Sequence, residues 1–184
     1  MVRTRADDLL LGEWACLALV AQQPAHGYDI ATRLAPGGDI GRVWSLSRPL
    51  TYRALDQLTQ RGLIVPVAEE KGKAGGNRTI LGATPQGRRL VRRWLEEPVP
   101  HFRAVRDELL LKLVLAQLLA VDRMKLLQSQ RAVFAPMVDA LAASGGSRKS
   151  TSDPVAVWRY ESSRSALRFI DRMIAASRHR AQTG

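Results

Sequence analysis

The chain has 184 residues, 46% of them hydrophobic, which suffices for one large domain or two small ones with a core. A formal net charge of +11 favours a polyanionic partner, but the cations are spread over both halves, so local placement has to decide. Cys16 is the only cysteine, which excludes an intramolecular disulfide or a cysteine-based metal site and points to a reducing, cytoplasmic compartment. Asp7, Asp8 and Glu13 interrupt the first apolar run, unlike a signal peptide. The runs 14–21 and 113–121 are too short or too interrupted to span a bilayer, so no membrane partner is expected.

Residues 1–6 are a short basic lead-in. Asp7 or Asp8 can cap a helix reaching Gln22 that is apolar almost all round, so it needs cover on more than one side. Pro24 and Gly27 punctuate a turn. A short helix over 28–34 turns Ile30, Ala31 and Leu34 inward, and Pro36-Gly37-Gly38 breaks it. Val43 and Trp44 can form a one-rung strand.

The stretch 47–61 is the centre of the chain. Ser47 offers a hydroxyl cap, Pro49 sits in the first turn, and Gly62 supplies a left-handed stop. At 100° per residue Leu50, Ala54, Leu55 and Leu58 share one face. Pro49, Tyr52, Arg53, Asp56 and Gln60 share the other. Two short helices, the second with a polar leading end, make a helix-turn-helix pattern, and the exposed early turn suits a phosphate and a base edge. An ordinary amphipathic surface helix has the same local pattern.

The β-branched run 63–69 reads as a strand that Pro66 confines to an edge. The loop 70–77 carries Lys71 and Lys73 among three glycines, and 78–83, opening on Arg78, returns. A hairpin at this place is a wing whose cations can neutralise phosphate. A solvated hairpin loop is the plainer alternative. Thr84-Pro85 opens another helix to Leu95 or Glu96, with Leu90, Val91, Trp94 and Leu95 inward. Arg88, Arg89, Arg92 and Arg93 lie on its remaining surface, read as a solvated side, with contact to DNA backbone as the alternative.

Pro98 and Pro100 mark a boundary. Helices are expected over 106–120, from Asp122 to Ala143, and from Asp153-Pro154 to His179, with a linker at 144–152. On the last helix Val155, Trp158, Ser162, Ala166, Phe169 and Met173 form a seam suited to a dimer contact or to its own subunit. The fold class is therefore mainly α with a small β-hairpin: a winged helix-turn-helix over 1–97 and a helical dimerisation and effector region over 98–184.

No catalytic constellation is present. His26, His101 and His179 stand far apart, and neither a nucleophile-elbow nor a phosphate-loop motif occurs. No enzyme, cofactor or metal is expected. Trp14 and Trp158 are candidate contacts for a small aromatic effector, although both fit a plain core role better.

The pieces Leu9-Leu10-Leu11-Gly12, His26-Gly27-Tyr28-Asp29-Ile30, Tyr52-x-x-Leu55-x-x-Leu58-x-x-x-Gly62-Leu63-Ile64, Thr84-Pro85-x-Gly87 and Arg106-Asp107-Glu108-Leu109-Leu110-Leu111-Lys112 stand in an order that resembles the PadR family of bacterial transcriptional regulators. The resemblance spans residues 9–115. It implies a homodimer that binds a palindromic operator in double-stranded DNA, often as a repressor released by a phenolic acid or a drug-like aromatic. It puts Arg48, Tyr52 and Arg53 on a recognition helix and Lys71, Lys73 and Arg78 on a wing; Ser47 and Pro49, which open that helix, are candidate DNA contacts as well. Arg48-Pro49 departs from the small residues common there, and Leu81 replaces a usual Tyr. A winged-helix protein-interaction module without a DNA partner is the alternative.

Overall fold

A helix with no polar side organises the first part of the chain. In the computed structural model, which describes residues 9–71, 77–143 and 153–182, α1 (Leu11–Gln22) is buried without a break from Gly12 to Ala21. It begins at Leu11 rather than at Asp7 or Asp8, which lie outside the described residues. The buried Glu13 closes its start by accepting the Leu10 N–H at 2.8 Å. Burial, and then the Glu13 carboxylate, push the Cys16 thiol up to about 12. Cys16 is therefore a neutral packing residue.

The chain divides into two compact units. The first holds Met1–Leu95 and Leu110–Val121, so it takes in a segment well past the prolines at 98 and 100. Here β1 (Ala25–His26) leads into α2 (Gly27–Leu34), which buries Ile30, Ala31 and Leu34 as expected. The turn after α2 folds back on itself. Ile40 and Gly41 N–H donate to Arg33 O, and Leu46 N–H donates to Leu34 O. The Arg33 guanidinium grips Asp39 and donates to Gln22, holding the Asp39 carboxyl below its usual range. Val43 and Trp44 lie in this turn and form no strand.

α3 (Arg48–Gln60) packs on α1 and α2, and β2 (Ile64–Lys71) and β3 (Asn77–Ala83) follow it as an antiparallel hairpin. β1 pairs with the other edge of β3, giving a three-stranded sheet in the order β1-β3-β2. Pro66 lies on the edge strand β2, beside an irregularity in register between Pro66 and Ala68. The hairpin base is knotted by Thr84, whose hydroxyl donates to Gly62 O and accepts the Gly87 N–H as α4 (Pro85–Glu96) begins. Leu90, Val91, Trp94 and Leu95 are buried, and Trp94 stacks on Trp14 with ring centroids 4.7 Å apart. The Lys112 ammonium lies 4.8 Å from the Trp94 ring centroid.

The second unit holds Glu96–Leu109 and Asp122–Gly184. The fully buried Gln130 amide pairs with both backbone groups of Val99, and Phe102 packs on Phe134. α5 (Glu108–Leu118) is shorter than expected at both ends. α6 (Arg123–Leu141) starts on Asp122, whose carboxylate accepts the Met124 N–H. α7 (Pro154–Gln182) packs against α6 through Ser163, Ala166, Ile170 and Ile174. The first members of the expected seam are not part of this contact, since Val155 and Trp158 are exposed, Trp158 by 71%. The 144–152 linker lies outside the described residues.

Two helix ends share one geometry with different residues. After α3, Leu63 N–H reaches Leu58 O and Gly62 N–H reaches Thr59 O, with Gly62 at φ +67. After α5, Val121 N–H reaches Ala116 O and Ala120 N–H reaches Gln117 O, with Ala120 at φ 51. Left-handed backbone costs an alanine about 1 kcal/mol relative to glycine. Nothing stands within 4 Å of a Cβ at Gly62, so Gly62→Ala is expected to lose about 1 kcal/mol from conformation alone. Ala120→Gly is expected to gain up to about 1 kcal/mol; urea unfolding midpoints of the two variants check both signs.

Candidate nucleic-acid interface

α3 presents its outer side because its inner side is spent on the core. Thr51, Ala54, Leu55 and Leu58 are buried, while Ser47, Arg48, Pro49, Tyr52, Arg53 and Asp56 are exposed. Leu50 is exposed as well, by 50%, which corrects its assignment to the inner face. It stands at the border of the apolar arc, and the fully buried Thr51 takes the place inside. Ser47 is the N-cap residue, but its hydroxyl makes no capping bond. Its carbonyl accepts from the Thr51 N–H and hydroxyl instead, at 3.0 and 3.1 Å. The N–H groups of the first turn thus have no side-chain cap, and a helix N-terminus in that state favours an anion.

Tyr28, at the start of α2, holds the Arg48 guanidinium 5.0 Å from its ring centroid. Gly27 beside it lets Tyr52 lie close against the backbone. His26 ties this corner to the hairpin, with Nδ1 3.1 Å from Thr79 O and Nε2 3.1 Å from the Glu70 carboxylate. Between these parts opens a cleft of about 640 Å³. Tyr28, Tyr52, Asp56 and Thr59 line its helical side, Arg78 and Thr79 its hairpin side, and Leu55 and Leu81 also line it.

Tyr52 and Arg78 therefore share one cleft, and Arg48 sits at the leading end of the helix that lines it. Arg53 is exposed on the same helix. Lys71 ends β2, its side chain and Lys73 lying outside the described residues. Trp14 is buried in its stack with Trp94, and Trp158 belongs to the other unit. Arg88, expected on a solvated side, also donates to Ala21 O. Tyr28 and His26 were not legible as site residues, because their roles depend on contacts across 20 and 53 positions of sequence. The Gly between them was the one local signal of close approach. Among the described residues no cluster of His, Cys, Asp or Glu could hold a metal ion. No described helix is long and apolar enough to cross a membrane.

Two helices at a turn, the second with its polar side bare, followed at once by a hairpin that shares a cleft with it, define a winged helix-turn-helix. Residues 16–93 match the model of the transcriptional regulator PadR-like family. Similar solved structures include Bacillus subtilis PadR in complex with operator DNA, at 21% identity over 89% of this chain and 97% of that one, with a TM-score of 0.45. The same protein in complex with p-coumaric acid has 21% identity over 91% and 98%, with a TM-score of 0.43. The Vibrio cholerae virulence activator AphA has 21% identity over 92% and 95%, with a TM-score of 0.41. No curated protein sequence matches the chain.

A Cβ at Gly27 would stand 2.7 Å from Tyr52 Cε1 and 3.4 Å from Leu55 Cδ1. Gly27→Ala is therefore expected to push the Tyr52 ring outward. Tyr52 is exposed on its far side, so the stability loss falls at the low end for overpacking, about 1 kcal/mol. Tyr52 ring-proton shifts are the measurement, and resonances left where they were would show that the ring does not rest on Gly27.

Proposed function

We propose that the chain is a dimeric, ligand-responsive transcriptional repressor that binds a palindromic operator through the helix 47–61 and the wing 64–83. The observation that carries this is the cleft in which the bare side of α3 and Arg78 of the hairpin face the same space. Two copies of α3 enter successive major grooves roughly 34 Å apart. Ser47, Pro49 and the uncapped first turn approach phosphate, Arg48, Tyr52 and Arg53 meet base edges or phosphates, and Lys71, Lys73 and Arg78 neutralise the flanking backbone. α7 supplies the dimer contact, for which its exposed Val155, Val157 and Trp158 give an apolar starting patch. A small aromatic effector acts at Trp14 or Trp158, of which only the exposed Trp158 is open to a planar ligand in this conformation.

Binding of the full chain to duplexes enriched from a randomised library tests the function. With about six to ten phosphates neutralised per dimer, log K should fall against log salt with a slope of roughly −5 to −9. Arg53→Ala should relax discrimination at one base pair by about 1–3 kcal/mol where it reads a guanine. Lys73→Ala should weaken all sequences alike. A protein-interaction module would show neither the enrichment nor the steep slope. Specific and non-specific binding both unchanged by Arg53→Ala would refute the assignment of the helix.

A further inference from the structure

Leu50 lies in the first turn of α3 with half of its surface exposed. The core side of that helix is already closed by Thr51, Ala54, Leu55 and Leu58, so the exposed part of Leu50 serves no packing there. At helical spacing Leu50 precedes Arg53 by three positions and stands on the flank away from Tyr52. Arg53 is exposed too, and such a pair is about 5–6 Å apart, within two base-pair steps. A helix whose leading turns enter the major groove meets phosphates, polar base edges and one apolar group, the C5-methyl of thymine. A polar side chain at position 50 would find partners along most sequences; a leucine finds only that methyl.

We infer, resting on the DNA-reading role proposed above, that Leu50 is a specificity-determining residue that packs on a thymine methyl one or two base pairs from the pair that Arg53 reads. It thereby couples a guanine contact by Arg53 to a neighbouring thymine in each half-site.

The test uses the full chain and the library-enriched duplex, with thymines replaced one at a time by deoxyuridine, which removes only the methyl. At one thymine per half-site the affinity should fall about fourfold, the worth of one buried methyl. Leu50→Ala should bind the parent duplex more weakly and lose nothing further at that position, while staying sensitive to replacement of the guanine. Because the side chain is half exposed, the variant should melt close to the parent chain, which separates lost reading from lost folding. The inference is overturned if every deoxyuridine duplex binds like its parent, or if Leu50→Ala still shows the fourfold loss. Failure to enrich any sequence would overturn the DNA-reading role itself, and this inference with it.

Discussion

The burial of α1 on every side is the constraint on which the first unit depends. A helix with a polar face can lie on a surface; one that is apolar from Gly12 to Ala21 must be surrounded. α2, α3 and β3 pack on it, Trp94 of α4 stacks on its Trp14, and Leu111, Leu115 and Ala116 join the same core. Each covering element spends its apolar side on α1 and keeps one side for solvent. The bare side of α3 is thus a consequence of what α1 demands from the other side of the same helix. A function built on that bare side depends on α1 without α1 contributing to it directly.

The hairpin reaches the same space through short covalent and hydrogen-bonded steps. Gly62 turns the chain through left-handed backbone directly into the buried Leu63 and Ile64, so no slack separates α3 from β2. Thr84 bonds back to Gly62 and Leu63, closing the hairpin at its base. His26 then joins β1 to both other strands through Thr79 and Glu70. With its base closed and its side tethered, the wing has its direction fixed relative to α3, and the cleft between them is a defined shape.

Local chemistry made much of this legible in the sequence. The ends of α3 were readable within a residue because a first-turn proline and a left-handed glycine each act over one turn, although the Ser47 hydroxyl does not cap the helix. The three-to-four spacing of Leu90, Val91, Trp94 and Leu95 likewise gave the inward side of α4. What failed depended on partners far along the chain. The one-rung strand is at Ala25–His26 rather than Val43–Trp44, because the free edge of β3 chooses its neighbour and two residues carry no periodicity. Leu50 and Trp158 are exposed because a helical wheel gives an angle but not the width of the surface that meets it. The cation–π contact of Arg48 with Tyr28 joins two helices whose relative placement no spacing encodes.

The charges around the cleft are more selective than the net charge of +11 suggests. Asp56 lines it, and Glu70 on β2 pairs with His26, which lines it too. A surface shaped only to hold phosphate would gain from basic residues at all of these positions, since each carboxylate repels the polyanion. A carboxylate on a helix that enters the major groove can be favourable only opposite a base-edge donor such as the cytosine amino group. On the proposed DNA-reading role, Asp56 beside Arg48, Arg53 and the apolar Leu50 would let α3 satisfy different base edges and penalise the rest. On that role the mixture would weaken indiscriminate binding and strengthen discrimination, as reading few sites in a genome requires.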